Sequence, residues 1–312
     1  MIDGLVVVDK PAGWTSHDVV AKLRRVFSIK RVGHAGTLDP DATGVLLVGV
    51  GRATRLLRFL TDTTKVYEGG VSFGVATDTL DAAGRETARC PMPGLTAEAL
   101  AAATTRFVGE IDQVPPMVSA VKVDGRRLHE LARRGEEVER APRRVRIDSI
   151  DVETFSAGDF PAATLRVSCG SGTYIRSLAD DLGTALGGCA HLAWLRRLAV
   201  GPFGIGDAHP LEEVEARREA VVLPPVEAVR HLEQVAVDAA VAQGVRHGAV
   251  FPVATLCPGE GTGPVAIIGP DADLLAIYQR GRASARPLVV LSTGTPRTPG
   301  STGTPRTPGS GA

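Results

Sequence analysis

The stretch 33–44 constrains the fold more than any other part of the chain. It reads Gly-His-Ala-Gly-Thr-Leu-Asp-Pro-Asp-Ala-Thr-Gly, and the apolar run 45–50 follows it at once. Glycines, a proline and carboxylates at this density do not build a core element, whereas the apolar run is typical of a buried strand. The sequence therefore predicts a shaped loop seated on a buried strand, the kind of place where functional side chains collect.

Asp39 is the candidate functional carboxylate of this loop. It stands directly before Pro40, which restricts its backbone to extended conformations and stiffens the presentation of the side chain. A fixed carboxylate at the edge of a sheet suits nucleophilic or electrostatic catalysis. An isolated Asp-Pro pair is more often a solvated turn, so the rest of the chain has to decide between these two interpretations.

Composition places the chain among ordinary water-soluble globular proteins. Its 312 residues allow about two domains, and 44% are hydrophobic and 22% charged. No apolar run approaches the roughly 18 residues that span a bilayer. The first residues lack the basic region and long apolar stretch of a signal peptide. We therefore expect a cytoplasmic protein.

The four cysteines predict neither a zinc site nor a disulfide framework. They are widely spaced and form no Cys-x-x-Cys pair, and Cys189 and His191 have no second ligand pair nearby. We therefore expect no metal site and four free, buried thiols: Cys90, Cys169, Cys189 and Cys257.

Charge is balanced overall but unevenly distributed. Residues 1–60 and residues 122–146 each carry nine Lys or Arg against five Asp or Glu, while residues 61–121 carry four against eight. Two net-positive segments could form a basic face for a polyanionic partner. Solvated helix faces would explain the same distribution.

Periodicity and turn residues give the element pattern. We expect a strand over 4–9, a helix over 16–27 capped by Ser16, a short basic helix around 52–60 and a helix from Ser177 to about Leu186. Residues 126–146 predict a projecting basic helix and loop. Pro224-Pro225 marks a domain boundary, residues 226–291 predict a small β-barrel, and the repeated tail 292–312 predicts disorder.

Seven short motifs recur in the order found in one enzyme family. The chain closely resembles the TruB family of tRNA pseudouridine synthases over roughly residues 4–225. The resemblance rests on 9–13 (DKPAG), 31–46 (RVGHAGTLDPDATGVL), 65–67 (KVY), 73–79 (FGVATDT), 114–122 (VPPMVSAVK), 172–176 (GTYIR) and 194–198 (WLRRL).

The resemblance implies a fold and a reaction. The expected fold is α+β, with a pseudouridine synthase-like catalytic domain over 1–225 that contains a mixed, largely antiparallel sheet. It also implies a basic thumb-like insertion at about 115–145 and a small PUA-like β-barrel over 226–291. The implied reaction converts uridine to pseudouridine in the tRNA T loop, at position 55, without metal or cofactor.

The resemblance also assigns candidate catalytic residues. Asp39 matches the catalytic aspartate, Arg176 the arginine that pairs with it, and Tyr67 the tyrosine that stacks on the base and is a candidate for removing the C5 proton. An adjacent guanidinium favours the ionised form of a carboxylate. Tyr174 matches a second tyrosine that contacts the substrate, and Leu195 matches an apolar wall of the same pocket.

Base flipping adds two candidate residues. A base inside a folded loop must leave its stack before it can react, at a cost of about a few kcal/mol. His34 matches the family residue that fills the vacancy. Lys10 is a candidate substrate contact, for which either a phosphate contact or a structural pairing is an open explanation. We expect a monomer that binds the T arm of tRNA without guide RNA or membrane.

Three other interpretations are open. Residues 39–43 spell the Asp-x-Asp-x-Thr signature of magnesium-dependent aspartyl-phosphate phosphotransferases, but there the strand precedes the first aspartate, whereas here it follows. A T-arm-binding tRNA-folding module without catalysis is the second. A guide-RNA-dependent enzyme of the dyskerin type is the third, and the absence of long basic extensions disfavours it.

Overall fold

The computed structural model describes residues 2–119, 122–123, 126–127, 138–259 and 261–291. The chain divides into two compact units, Met1–Glu233 and Gln234–Ala312. The first unit therefore runs past Pro224-Pro225, because Ala228 and Val229 of the following 3₁₀ turn are buried. The middle of the predicted basic insertion, residues 128–137, and the predicted disordered tail, 292–312, lie outside the described residues.

β-Strands dominate the described part of the chain. They are β1 (Gly4–Lys10), β2 (Val32–Ala35), β3 (Thr43–Val50), β4 (Lys65–Phe73), β5 (Val75–Thr77), β6 (Glu86–Arg89), β7 (Gly109–Gln113), β8 (Lys122–Val123), β9 (Arg126–Arg127), β10 (Arg143–Ser156), β11 (Ala162–Cys169), β12 (Ala190–Val200), β13 (Phe203–Gly204), β14 (His209–Pro210), β15 (Glu233–Ala236), β16 (Phe251–Pro252), β17 (Pro264–Ile268), β18 (Leu274–Arg280) and β19 (Ser284–Val290).

Helices are fewer and mostly short. The α-helices are α1 (Ser16–Phe27), α2 (Arg58–Thr61), α3 (Ala97–Thr104), α4 (Ile175–Ala185), α5 (Leu211–Arg217), α6 (Ala239–Arg246) and α7 (Val253–Leu256). The 3₁₀ helices are Gly51–Leu56, Thr105–Phe107, Ile205–Asp207, Arg218–Val221 and Glu227–Val229. No helix in the described residues is long and apolar enough to span a bilayer.

Ten strands of the first unit form one mixed sheet. Its order is β14-β1-β3-β12-β4-β11-β10-β7, with β13 paired to β12 and β2 paired to β3. The pairs β1–β14 and β3–β12 are parallel and the other described pairs of this sheet are antiparallel. The predicted mixed, largely antiparallel sheet is therefore confirmed. Because β12 lies between β3 and β4, residues far apart in the sequence meet at the sheet centre.

Two of the apolar clusters formed by the described residues of the first unit position its helices. One joins Val19 and Leu23 of α1 with strand residues such as Val48, and the other joins Leu178 and Leu182 of α4 with residues of β4 and β11. Each such side chain contributes about 1.5–3 kcal/mol when it is fully buried. The clusters fix α1 and α4 against the sheet, and these two helices border the predicted loop.

Helix α1 confirms the predicted periodicity and corrects the predicted cap. Thr15 is the N-cap: its hydroxyl accepts from the backbone N–H of Asp18, whose carboxylate in turn accepts from the N–H of Thr15. Ser16, predicted as the cap, is the first helical residue. Its buried hydroxyl exchanges hydrogen bonds with the backbone of Leu38, at 3.0 and 3.2 Å, so it anchors the loop instead.

The other helix and strand predictions need smaller corrections. The predicted loop 33–44 is shorter, because β2 pairs antiparallel with β3 and leaves only residues 36–42 outside strands. The helix expected from Ser177 begins at Ile175, which places Arg176 in its first turn. The predicted basic helix and loop over 126–146 is wrong at both described ends, which are strands β9 and β10.

The cysteine prediction is wrong for one pair. Cys90 and Cys189 form a disulfide, with Cα atoms 6.0 Å apart and a sequence separation of 99. The end of β6 and the loop before β12 meet there, a proximity that spacing along the chain does not reveal. Cys169 and Cys257 are buried thiols outside this disulfide, as predicted.

The second unit is a small β-rich body. Its five-stranded sheet has the order β15-β17-β18-β19-β16 and curls into a half-barrel consistent with a PUA-like domain. Helices α6 and α7 cover a core that includes Val245, Leu256, Ile267 and Tyr278. The predicted fold class, α+β with a small β domain, is confirmed.

Candidate active site

Two buried cations hold the loop 36–42 in place, and Lys10 is the first. Its ammonium group donates to the carbonyls of Pro11, Trp14 and Pro40, at 2.9, 2.6 and 2.8 Å, and the side chain is fully buried. Burial lowers the pKa of Lys10 to about 8, although the carboxylates of Asp41 and Asp39 oppose this shift. Of the two explanations left open for Lys10, the structure favours the structural pairing.

Arg197 of β12 is the second buried cation. Its guanidinium donates to the carbonyls of Val45, Gly36 and Thr37, at 2.7, 3.2 and 3.5 Å. Gly36 has φ +78°, a conformation that costs least for glycine. The loop conformation therefore depends on carbonyls turned inward toward Lys10 and Arg197.

Arg176 is the hub of the site. Its Nε lies 3.0 Å from Asp39 Oδ2 and its Nη1 lies 3.5 Å from Asp81 Oδ2. It also donates to the carbonyls of Thr79 and Val118, at 3.1 and 2.8 Å. With 4% of its side chain exposed, the guanidinium is held by four acceptors from three segments, and it holds the two carboxylates on one side of the site.

Asp39 is the most exposed of the three charged side chains Asp39, Asp81 and Arg176. Its side chain keeps 44% of its surface exposed, yet the surrounding protein removes enough water that burial is the largest effect and raises the pKa of Asp39 above its usual value. The Arg176 guanidinium acts in the opposite direction, and the Asp81 carboxylate adds to the rise. Arg176 thus offsets part of the cost of placing a negative charge at this position.

A cavity of about 250 Å³ opens beside Asp39. It is lined by side chains from the loop, from β4, from the start of α4 and from β12, which include Leu38, Asp39, Lys65, Tyr67, Tyr174, Ile175, Arg176, Leu195 and Arg197. Apolar walls with a carboxylate and two guanidinium groups on one side are typical of a site for a small planar polar group. A cavity of this size suits one nucleobase.

Tyr67 forms a buried wall of the cavity. Its side chain is 8% exposed, and burial raises the pKa of the phenol, while the guanidinium of Arg197 opposes the rise. The phenol therefore carries its proton at neutral pH. Its ring is available for stacking, and its oxygen is a weak base in this state.

Tyr174 reaches the cavity from a clamped backbone. The side-chain amide of the buried Gln113 accepts from the Tyr174 N–H at 2.7 Å and donates to the Tyr174 carbonyl at 3.0 Å. This pairing fixes the chain where it enters α4. It therefore also fixes the position of Arg176, two residues further on.

The structure brings five of the seven predicted site residues together: Asp39, Tyr67, Tyr174, Arg176 and Leu195 line one cavity. Lys10 lies beneath the loop. His34 lies on β2, half-buried, with its ring 5.4 Å from that of His17 in an edge-on contact. Burial and, to a smaller extent, the charges of His17 and Arg197 lower the pKa of His34, so its imidazole is neutral at neutral pH.

Three residues of the site were not singled out as functional from the sequence. Asp81 contacts Arg176, Arg197 supports the loop, and Gln113 clamps the start of α4. The acidic stretch 77–84 was a usable signal for Asp81, because it carries carboxylates and no cation. Leu80 before it has φ +62°, a conformation rare for a bulky residue and frequent at functional turns.

Comparisons with protein families match most of the first unit. The pattern of the TruB family pseudouridylate synthase (N terminal domain) matches residues 24–175, and that of the tRNA pseudouridylate synthase B C-terminal domain matches residues 176–229. A tRNA pseudouridine synthase B of Thermobifida fusca is 47% identical over 298 residues, 94% of this chain and 99% of the relative. One of Corynebacterium aurimucosum is 53% identical over 213 residues, 68% of this chain and 72% of the relative.

Solved structures agree. A chain from the crystal structure of a Cbf5-Nop10-Gar1 complex superposes with a TM-score of 0.70 at 27% identity. The superposition covers 92% of this chain and 83% of that one. One from an archaeal box H/ACA sRNP Nop10-Cbf5 complex gives a TM-score of 0.66 at 26% identity, over 95% and 87%. On sequence and fold together, the chain belongs to the TruB family of pseudouridylate synthases.

Proposed function

We propose that this protein isomerises uridine to pseudouridine in tRNA, at position 55 of the T loop. The observation that carries the proposal is the 3.0 Å contact between Asp39 and the buried guanidinium of Arg176, at the mouth of a cavity walled by Tyr67 and Leu195. Relatives named tRNA pseudouridine synthase B over nearly the whole chain support the same reaction. We further propose that the protein works as a cytoplasmic monomer.

The reaction sets the demands on the site. The bond between N1 of uracil and C1′ of ribose breaks, the base turns, a bond forms between C5 and C1′, and the C5 proton leaves while N1 gains one. Atoms and electrons balance without an oxidant, a metal or a second substrate. The site must hold one carboxylate at the sugar, retain the detached base and accept one proton.

Asp39 supplies the carboxylate. A carboxylate at C1′ either forms a covalent bond to the sugar or stabilises the positive charge that develops as the base departs. Both routes require the ionised form. Arg176 favours that form and orients it, and because Arg176 has three further acceptors it stays in place when substrate displaces water.

Tyr67, Tyr174 and Leu195 retain the detached base between an aromatic ring and an apolar wall. The phenol of Tyr67 is protonated and is therefore a weak base. Tyr67 is thus better suited to stacking on the detached base than to removing its C5 proton. Proton removal from C5 would have to use the neutral phenol oxygen, with Arg197 nearby to stabilise negative charge. The carboxylate of Asp39 is the other candidate for this proton.

His34 is proposed to occupy the space that the flipped uridine leaves in the T loop. A neutral imidazole can enter a base stack without carrying a charge out of water, and the lowered pKa of His34 keeps it neutral. Lys10 is proposed to act indirectly, by holding the loop that carries Asp39. The T arm itself is proposed to bind without guide RNA.

The alternatives are less well supported. In a magnesium-dependent phosphotransferase the first aspartate would hold the metal ion, but here a guanidinium lies 3.0 Å from Asp39. A T-arm-binding module without catalysis would not need the Asp39–Arg176 pair. A guide-dependent enzyme would be inactive on tRNA alone.

The decisive experiment is incubation of the purified protein with an unmodified tRNA transcript, with and without chelator, followed by pseudouridine mapping. We expect product at position 55 in both arms. Asp39→Asn should bind the transcript with unchanged affinity and form no product, while Asp62→Asn, an exposed carboxylate outside the cavity, should be fully active. Product that requires magnesium, or product only with a guide RNA, would contradict the proposal.

A further inference from the structure

The segment 113–118 runs from the end of β7 into the predicted insertion and packs on the first turn of α4. Its sequence is Gln-Val-Pro-Pro-Met-Val. Pro115 and Pro116 are buried, and because proline has no N–H group, neither of them can donate a hydrogen bond to a strand or a helix. At these two residues the main chain can be held only through its carbonyl groups. We call residues 113–118 the strap.

Helix α4 supplies two donors that hold the strap. The hydroxyl group of Ser177 donates to the carbonyl of Val114 at 2.8 Å, and Nη2 of Arg176 donates to the carbonyl of Val118 at 2.8 Å. Both donor side chains are buried, where a polar group is stable only if it is paired. The strap is therefore fixed to α4 at two points, and one of them is the guanidinium that contacts Asp39.

Gln113 makes a third attachment, which runs from the strap to the helix. Its buried side-chain amide accepts from the N–H of Tyr174 and donates to the carbonyl of the same residue, at 2.7 and 3.0 Å. Because Tyr174 is the N-cap of α4, Gln113 fixes this end of the helix from outside the helix. The strap and the helix thus hold each other at residues 174 and 177, which flank Arg176 in the sequence.

The position of Arg176 matters because its charge acts on Asp39. The charged groups that act on the Asp39 carboxyl are Arg176, Asp81 and Lys10. Burial is the largest effect and raises the pKa of Asp39, and Asp81 adds to this rise, whereas Arg176 and, to a smaller extent, Lys10 lower that pKa. Displacement of Arg176 away from Asp39 would therefore leave the carboxyl harder to ionise.

We propose that Gln113 and Ser177 are positioning residues of the uridine isomerisation, which hold the strap against α4 and thereby aim Arg176 at Asp39. This inference rests on the proposed function, because it assigns a task within that reaction. Neither Gln113 nor Ser177 is among the described residues that line the cavity beside Asp39. Both therefore act on the reaction through Arg176 and without contact to the base.

Ser177 gives the first test. Ser177→Ala removes only the hydroxyl group, and on an unmodified tRNA transcript we expect kcat to fall about tenfold or more, because even a small misplacement of Arg176 slows the reaction. KM and the Kd for tRNA should change less than about twofold, since the contacts to the substrate are kept. Ser177→Thr keeps the hydroxyl group and should recover most of the lost kcat.

The pH profile distinguishes positioning of Arg176 from a general loss of structure. Ser177→Ala should move the acidic limb of kcat/KM to higher pH, because a displaced Arg176 lowers the pKa of Asp39 less than in the wild-type enzyme. Gln113→Met, which keeps a side chain of similar length but has no amide, should move the limb in the same direction. A lower kcat with an unshifted acidic limb in both variants would overturn the proposal.

Thr104 provides the matched control. Its hydroxyl group donates to the carbonyl of Ala101 at 2.8 Å, and Thr104 and Ser177 are each 3% exposed. Thr104 lies on α3, which contributes no described residue to the cavity beside Asp39. Thr104→Val, assayed like every variant below its melting temperature, should therefore keep the wild-type kcat and acidic limb. Equal kinetic losses in Thr104→Val and Ser177→Ala would show that Ser177 has only a general structural role.

The two levels of the proposal fail differently. If the wild-type enzyme forms no pseudouridine in tRNA, the proposed function fails. If the wild-type enzyme forms pseudouridine while Ser177→Ala and Gln113→Met keep its kcat and its acidic limb, the proposed function stands and the strap proposal is wrong.

Discussion

Arg176 illustrates how one residue can organise a candidate active site. Taking an arginine out of water is costly unless its donors are paired, and here four oxygen atoms from the loop, the turn after β5 and the segment before the basic insertion surround it. Each of these contacts fixes the position of a chain segment whose conformation is not determined by its own local sequence. Asp39 and Asp81 are close to each other because both bind the same cation.

Asp81 raises the pKa of Asp39 and also helps to hold Arg176 in position. Its negative charge raises the pKa of Asp39, so Asp81→Asn should lower that pKa and move the acidic limb of the pH profile of kcat/KM to lower pH. We also expect kcat to fall about tenfold or more, because Arg176 loses one of its positioning partners. Asp78→Asn, in an exposed pair with Arg85, is the control. An unshifted acidic limb would show that Asp81 does not influence Asp39.

Replacement of Lys10 tests whether its buried ammonium group stabilises the loop 36–42. Lys10→Met keeps the volume but leaves three carbonyls without donors, and each lost hydrogen bond costs about 1–3 kcal/mol. We expect the free energy of unfolding to fall by at least about 3 kcal/mol in denaturant titrations. Lys22→Met, which removes a surface pair with Glu215, should change it by less than about 1 kcal/mol.

The Lys10→Met variant also distinguishes a structural role of Lys10 from a direct contact with phosphate. If Lys10 is structural, the salt dependence of tRNA binding keeps its slope in Lys10→Met. A direct phosphate contact would reduce the slope by about one, and that outcome would contradict the placement of Lys10 beneath the loop.

At the scale of elements, α4 connects the site to a second cavity lined by carboxylates. Its first turn carries Arg176, and one turn later Asp180 and Asp181 line a cavity of about 240 Å³ with Asp78 and Arg140. Burial, and then the charge of Asp180, raises the pKa of Asp181 to about 6. The helix thus carries a carboxyl group that ionises less readily in the folded state than in the unfolded state.

Asp181 therefore makes stability fall as pH rises. Between its unfolded pKa of 3.8 and its folded pKa of about 6, the native state binds more protons than the unfolded state, so the stabilisation present below pH 3.8 is lost by pH 6. Asp181→Asn should raise Tm by about 2–4 °C at pH 7 and leave it unchanged at pH 4. Asp159→Asn, on an exposed turn, should have no effect at either pH. An equal gain at pH 4 and pH 7 would contradict the assignment.

At the scale of the whole molecule, the disulfide is the main covalent constraint in the described residues. Cys90 and Cys189 join the end of β6 to the loop before β12. That link closes a long segment of chain that includes Gln113, Tyr174 and Arg176. Because a reducing cytoplasm keeps most thiols reduced, the state of this pair in cells bears directly on the proposed location.

Thiol counting tests the pairing. Air-purified protein, unfolded without reductant, should show two reactive thiols, Cys169 and Cys257, and four after reduction. Reduction should lower the free energy of unfolding by roughly 2–4 kcal/mol, and a Cys90→Ser, Cys189→Ser double variant should match the reduced protein. Four thiols before reduction would show that the pair is not bonded under these conditions.

The sequence by itself determined the local elements and selected the candidate site residues. Apolar periodicity defined α1 and most of α4, and turn residues placed Asp39 on a loop against a buried strand. Motif resemblance selected Tyr67, Arg176, Tyr174 and Leu195, all of which line the same cavity. These inferences succeed because backbone preferences and burial periodicity act within a few residues of the chain.

Only the tertiary structure decided which distant segments meet. The insertion of β12 between β3 and β4 brought Arg197 under the loop, and packing of the turn after β5 against α4 brought Asp81 to Arg176. The Cys90–Cys189 pair and the burial of Lys10 have the same origin. Hydrophobic periodicity indicates which face of a helix or strand is buried. Which element packs against that face is determined by the packing of the whole sheet.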